Sequence, residues 1–145
     1  LDVHQGDGTA SICENINNIF TCSIHCKNNF PFDKKISNLD VPIDDDVEDD
    51  KYINILIKTL HQIESIFIPD IVFYDAGVDV HSDDDLGNLN LTDEGIKKRD
   101  EIVCKYFKEK KIPLCTVIGG GYSKDRQELA SRHFSIFETV SKNYL

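Results

Sequence analysis

Asp2 and His4 stand two positions apart in the opening run Leu1-Asp2-Val3-His4-Gln5-Gly6-Asp7-Gly8. On an extended backbone such a pair points to one side, so a carboxylate and an imidazole converge on one point. The tripeptide Asp-Val-His returns at Asp79-Val80-His81, after the apolar run Ile71-Val72-Phe73-Tyr74. A third apolar run, Leu114-Cys115-Thr116-Val117-Ile118, ends in Gly119-Gly120-Gly121-Tyr122. Three strand ends, each with a chemically useful side chain, describe one site at the carboxyl edge of a parallel sheet. The chemistry they suit is metal-dependent hydrolysis. A catalytic zinc keeps three protein ligands and one open position. Asp2, His4 and Asp79 supply that set, and the open position would polarise a carbonyl and acidify a water. Tyr122, at the tip of a glycine turn, could aim its hydroxyl at the oxyanion formed when water attacks. Each feature alone has a plainer reading: coincidence for Asp-x-His, a tight turn for the glycines, a loop or capping carboxylate for Asp79. Their joint placement carries the site.

The elements that must position these residues alternate between strand and helix. Leu1 to His4 reads as a strand end, Thr9 to Asn15 as a short helix, and Ile19 to Ile24 as a β-branched and aromatic strand. Lys27 to Asp50, with Pro31, Pro42 and many Asn and Asp residues, reads as irregular. Ile53, Leu56, Ile57, Leu60, Ile63 and Phe67 repeat at helical spacing up to Pro69. Ile71 to Tyr74 is apolar enough to be a strand buried on both faces. Thr92 should cap a helix with Asp93 and Glu94 in its first turn and Lys108, Lys110 and Lys111 at its end. Its inner face is Ile96, Val103, Tyr106 and Phe107. After Pro113 comes the strand Leu114 to Ile118. Asp125 then opens a last helix with Leu129, His133, Phe134, Phe137 and Val140 turned inward. The order implies right-handed crossovers and a parallel sheet with helices on both faces, an α/β fold in three layers, α/β/α.

Composition narrows the function further. A chain of 145 residues is one ordinary domain. It opens without a methionine and inside a motif, which reads as the C-terminal portion (residues 1–145) of a larger domain. A net charge of −10 argues against a nucleic-acid partner, which needs a basic stripe. Much of that charge lies in Asp44-Asp45-Asp46-Val47-Glu48-Asp49-Asp50, read as a solvated loop running into a helix start, and secondarily as a lure for a cationic substrate. No apolar run approaches the ~20 residues needed to cross a bilayer, so no membrane partner is expected. The five cysteines form no C-x-x-C pair and read as free thiols of a cytoplasmic protein, with Cys22 and Cys26 as metal ligands the weaker alternative.

The segment Leu1 to Ala10 resembles the metal-binding segment of the histone deacetylase family, and within it the bacterial and class IV members that carry Gln5 in place of a second histidine. The resemblance continues through Ser23-Ile24-His25, Asn29-Phe30-Pro31-Phe32, Leu39-Asp40-Val41-Pro42, Asp49-Asp50-Lys51-Tyr52 and Tyr74-Asp75-Ala76-Gly77-Val78-Asp79. It runs on through Asp84-Asp85-Leu86-Gly87-Asn88-Leu89 and Leu91-Thr92 to Gly119-Gly120-Gly121-Tyr122. It implies the arginase/deacetylase fold and a zinc-dependent amide hydrolase acting on acetyl-lysine in a protein or on a small acetylated amine. By that resemblance Asp2, His4 and Asp79 hold the zinc and Tyr122 steadies the oxyanion. Phe32, Leu86 and Gly120 line the substrate tunnel, and Asp2, His4, Ser23 and Ile24 hold a structural potassium ion. The family's paired catalytic histidines lie upstream of the zinc motif, so the resemblance implies a further N-terminal half as partner and no activity for this stretch alone. His133 reads as a core histidine and His61 as a surface or partly buried helix residue. His81 stays open as a fourth ligand. A binuclear ureohydrolase is disfavoured, because Asp7 falls one position too late and position 81 is His rather than Asp. An inactive remnant or interaction module is the rival from another class.

Overall fold

A computed structural model describes all residues, 1–145. Four helices and four strands follow in the order α1 (Asp7–Cys13), β1 (Cys22–Cys26), β2 (Leu39–Ile43), α2 (Asp49–Ile66), β3 (Val72–Asp75), α3 (Asp93–Glu109), β4 (Leu114–Val117) and α4 (Arg126–Tyr144). The strands form two parallel pairs. β1 runs beside β2 with Ile24 opposite Val41, and β3 beside β4 with Tyr74 opposite Thr116.

Leu1 to His4, expected as a strand end, makes no regular strand but joins the two pairs. The Val3 carbonyl accepts the Cys26 N–H at 2.9 Å, and the Leu1 nitrogen donates to the Asp75 carbonyl at 3.0 Å. The ligand segment is thereby stretched between β1 and β3.

α2 forms because Ile53, Leu56 and Leu60 recur on one stripe and are buried. It ends at Phe67, whose extended backbone precedes the break toward Pro69. Thr92 caps α3 as expected, its Oγ1 accepting the Gly95 N–H at 3.1 Å. The same threonine grips α2: its N–H and hydroxyl donate to the two carboxylate oxygens of Asp49 at 2.9 and 2.7 Å. α3 packs between α2 and α4 and reaches β4. The core joins Leu56, Tyr52, Val103 and Cys104 of the helices with Val3, Ile24, Tyr74 and Val80.

Several expectations give way here. β1 starts at Cys22, not Ile19, because Thr21 is held by Asn38, whose Oδ1 accepts both its N–H and its hydroxyl. The stretch expected to be irregular contains β2, with Pro42 within it. β2 pairs only with β1, so an edge position tolerates a residue that lacks an N–H. α1 begins at Asp7 rather than Thr9. β3 is buried on one face only: Tyr74 is 4% exposed while Phe73 is 72% exposed, sharing an open face with Cys115 and Val117 of β4. In α4, Phe134 and Phe137 turn outward, and Arg132, Ile136 and Thr139 turn in.

Candidate metal centre

Asp2, His4 and Asp79 come together. His4 Nδ1 lies 3.1 Å from Asp2 Oδ1 and 3.0 Å from Asp79 Oδ2, and the three potential ligand atoms all lie within 4.8 Å of one another. Backbone donors fix the carboxylates. Asp79, fully buried, accepts the Val3 N–H at 2.8 Å on Oδ1, which leaves Oδ2 to face the histidine. Asp2 accepts the His4 N–H at 2.9 Å on Oδ1 and the Gly120 N–H at 2.6 Å on Oδ2.

Charge at this point is unbalanced. Hydrogen bonds to Asp2 and Asp79 raise the His4 imidazole to about 10. Burial pushes Asp79 up to about 6, helped by the neighbouring charge of Asp2. Asp2 is also pushed up by burial, but hydrogen bonds from its neighbours, His4 first, hold it well below the usual carboxylate range. Two carboxylates around one imidazole nitrogen make an electron-rich pocket of mixed N and O donors. That donor set fits a small divalent cation such as zinc.

The glycines of the third strand end are required for space. A Cβ on Gly120 would overlap Asp79 Oδ2 and lie 2.6 Å from Asp2 Oδ2. Tyr122 follows, 43% exposed, its ring centroid 6.1 Å from that of His4 and nearly perpendicular to it. Burial, with the Asp79 and Asp2 charges, raises the Tyr122 hydroxyl above its ordinary value, so it stays a donor at neutral pH.

Asp84, which the sequence did not single out, organises the rim. Its Oδ2 accepts the Tyr122 N–H at 2.7 Å, and its Oδ1 accepts the Leu86 and Gly87 N–H groups at 2.9 Å each. Asn29 joins the next loop, donating to the Leu86 carbonyl at 2.7 Å and accepting the Asn88 N–H. Phe32 (87% exposed) and Leu86 (55% exposed) therefore stand on adjoining loops, while Gly120 lies at the ligands themselves. Gln5 turns away from the trio. Its amide donates to the Lys35 carbonyl and Asp40 and accepts the Lys35 N–H, so it ties down the loop that carries Phe32.

The remaining candidates separate from the site. His81 is not with the trio: its Nδ1 accepts the Asp83 N–H at 3.0 Å, and its Nε2 lies 3.5 Å from Asp93 Oδ1, both residues lining a cleft of about 420 Å³ beside α3 and α4. His133, half-buried, packs beneath Gly121, and His61 lies on the surface. Asp7 sits in the first turn of α1, outside the cluster. Ser23 and Ile24 lie in β1, the Ser23 hydroxyl 3.0 Å from His25 Nδ1 and Ile24 buried in the core. Cys22 is exposed, whereas Cys26 is buried with its thiol donating to Asp45, so the two do not form a soft site.

Parallel strand ends thus bring two carboxylates and an imidazole to one edge of an α/β fold, with a tyrosine beside them. The histone deacetylase domain family matches residues 1–137, and the chain belongs to that family, whose members are generally metal-dependent hydrolases of acetylated amines. An uncharacterized protein of Picosynechococcus sp. is 45% identical over 133 residues, 92% of this chain and 44% of that protein. Histone deacetylase 2 of Arabidopsis thaliana is 32% identical over 127 residues, 86% of this chain and 33% of that protein. The chain thus spans less than half the length of these relatives. Among solved structures, a histone deacetylase homolog from Aquifex aeolicus superposes with a TM-score of 0.78 at 23% identity, over 97% of this chain and 39% of the other. An acetylpolyamine aminohydrolase from Burkholderia pseudomallei gives 0.78 at 20% identity, over 95% and 42%. The fold is the arginase/deacetylase fold, represented here in part.

Proposed function

We propose that the complete protein is a zinc-dependent hydrolase of the amide in an acetylated amine, acetyl-lysine or a small acetylated amine. The convergence of Asp2, His4 and Asp79 within 4.8 Å carries the reading. Zinc held by these three would supply Lewis acidity to the amide carbonyl and to the attacking water. Tyr122 Oη donates to the carbonyl oxygen as negative charge gathers on it, and Asp84 holds the tyrosine's backbone so that little reorganisation is needed. Phe32 and Leu86 flank the entry, and Gly120 lies against the ligand carboxylates at its base. A structural potassium ion would be held mostly through backbone oxygens by Asp2, His4, Ser23 and Ile24, whose segments the Val3–Cys26 bond runs side by side.

No other histidine of this chain joins the trio to serve the water as a base, so that group belongs to a further part of the domain. Two observations support such a partner. The outer face of β3 and β4 presents Phe73, Cys115 and Val117 to solvent, the kind of apolar surface that another layer covers. The relatives are also more than twice as long as the chain.

The test is zinc analysis of the complete protein beside its Asp79→Asn variant, with turnover on an acetyl-lysine peptide and on an acetylated polyamine. Near-stoichiometric zinc in the wild type, lost in the variant together with turnover, is expected. Unchanged zinc in the variant would remove these ligands from the reading.

A further inference from the structure

One buried cation spans the two segments that carry the carboxylates. Arg99 of α3 is 0% exposed, and its Nη1 donates to the Gly77 carbonyl at 2.6 Å and to the Leu1 carbonyl at 3.0 Å. Leu1 immediately precedes Asp2, and Gly77 lies two residues before Asp79. A single nitrogen thus bonds the backbone of both ligand segments. A second guanidinium nitrogen is also held: Nε donates to Asp100 Oδ1 at 2.9 Å, the same oxygen that accepts the Tyr74 hydroxyl at 2.5 Å, whereas Nη2 is buried without a hydrogen-bond partner. Its Cζ stands 5.9 Å from the centroid of the Tyr74 ring. Tyr74 is on β3, so the arginine is braced against the strand that leads into Asp79.

We infer that Arg99 is a positioning residue that sets the spacing of Asp2 and Asp79 by gripping the Leu1 and Gly77 carbonyls together. The geometry requires arginine. Holding Asp100 on one edge and two carbonyls on another needs a planar fork with several fixed donors. A lysine ammonium is a point donor and cannot hold all three partners in that arrangement. The close approach of the segments makes the clamp necessary: a Cβ on Gly77 would overlap the Asp2 carboxylate, so the two backbones leave no slack. The Val3 N–H reaches Asp79 Oδ1, and the Gly120 N–H reaches Asp2 Oδ2, only while that spacing holds. Arg99 itself touches none of the three ligand side chains. Outer residues of this kind, which orient metal ligands, typically cost 10–100-fold in metal affinity when removed.

The test uses the complete protein with two variants. Arg99→Lys keeps the charge. The triple variant Arg99→Met, Asp100→Leu, Tyr74→Phe removes the whole polar group at once, so that no buried carboxylate is left unpaired. The first readout is amide hydrogen exchange without metal. Val3 and Gly120 should exchange at least about tenfold faster in both variants, while Leu56 and Leu60 of α2 keep their protection. The second readout is the cobalt(II) absorption spectrum and zinc competition, where affinity should fall about 10–100-fold with an altered spectrum. This second arm rests on the zinc reading above. If the wild type binds neither metal, that reading fails, and the exchange arm still decides the role of Arg99. Unchanged protection at Val3 and Gly120 in a folded variant overturns the clamp. Loss of protection in α2 alongside Val3 in both variants overturns it too, since Arg99 would then be an ordinary core residue.

Discussion

Replacing Gly120 with alanine adds one methyl group at the most crowded point of the site. Gly120 does not have a left-handed backbone, so the obstacle is space alone. The new Cβ would overlap Asp79 Oδ2 and come within 2.6 Å of Asp2 Oδ2 and 2.8 Å of Asp79 Cγ. Something must shift, and every neighbour is tethered. Asp79 is fully buried and held by Val3 N–H, Asp2 is held by Gly120 N–H, and the Gly120 carbonyl accepts the Val78 N–H at 2.7 Å. Breaking one hydrogen bond to a charged carboxylate costs about 1.5–3 kcal/mol. At 1.4 kcal/mol per decade, that alone lowers zinc affinity about 10- to 100-fold. Overpacking adds about 1–3 kcal/mol to the loss in stability. The assay is chelator competition for zinc on the complete protein, with melting temperature recorded for wild type and variant. Gly8→Ala is the control: nothing lies within 4 Å of its added Cβ, and in helix α1 alanine is favoured by about 0.5–1 kcal/mol. A Gly120→Ala protein with wild-type zinc affinity would refute the packing argument, whatever its activity.

Three more outcomes follow from the same geometry. Tyr122→Phe in the complete enzyme should keep its zinc and lose about two to three decades of turnover, the usual cost of one oxyanion donor; near-normal turnover on an acetyl-lysine peptide would exclude Tyr122 from the chemistry. Thr92→Ala should lower stability by about 1–2 kcal/mol in chemical denaturation, because it loses the α3 cap and the hydroxyl bond to Asp49 together, and an unchanged midpoint would show that the link between the helices contributes nothing. The 145-residue chain expressed alone should aggregate through the open face bearing Phe73 and Val117 and show no deacetylase activity, whereas co-expression with the remaining part of the domain should restore both solubility and turnover; a monomeric, fully active isolated chain would contradict the proposed partner.

What the sequence made legible was local. Asp2 and His4 lie two residues apart, and Thr92 caps the helix it precedes, so both could be read without knowing the tertiary structure. β2 was hidden because Pro42 argues against a strand unless its edge position is known. The inner face of α4 was misassigned for a related reason. Phe134 and Phe137 look like core, yet Arg132 turns inward because Asp83 and Asp93, far away in sequence, supply its counter-charges at 3.4 and 3.6 Å. Periodicity within a helix does not reveal partners on another element.

The same rule explains which parts of the site stayed hidden. The supporting bonds join residues far apart: 38 positions from Tyr122 to Asp84, 98 from Arg99 to Leu1, 118 from Gly120 to Asp2. They also change the meaning of the acidic composition. Asp2, Asp40, Asp49, Asp79, Asp84 and Asp125 each accept at least one backbone N–H. A short carboxylate can accept two or three such bonds and hold an irregular loop that has no ladder of its own. Many of the loop aspartates are therefore backbone ties. Any reading of the −10 charge as a lure for a cationic substrate must rest on the aspartates that hold no backbone. Asp83 and Asp93 hold none, but both pair with Arg132, so their charge is already partly answered within the chain.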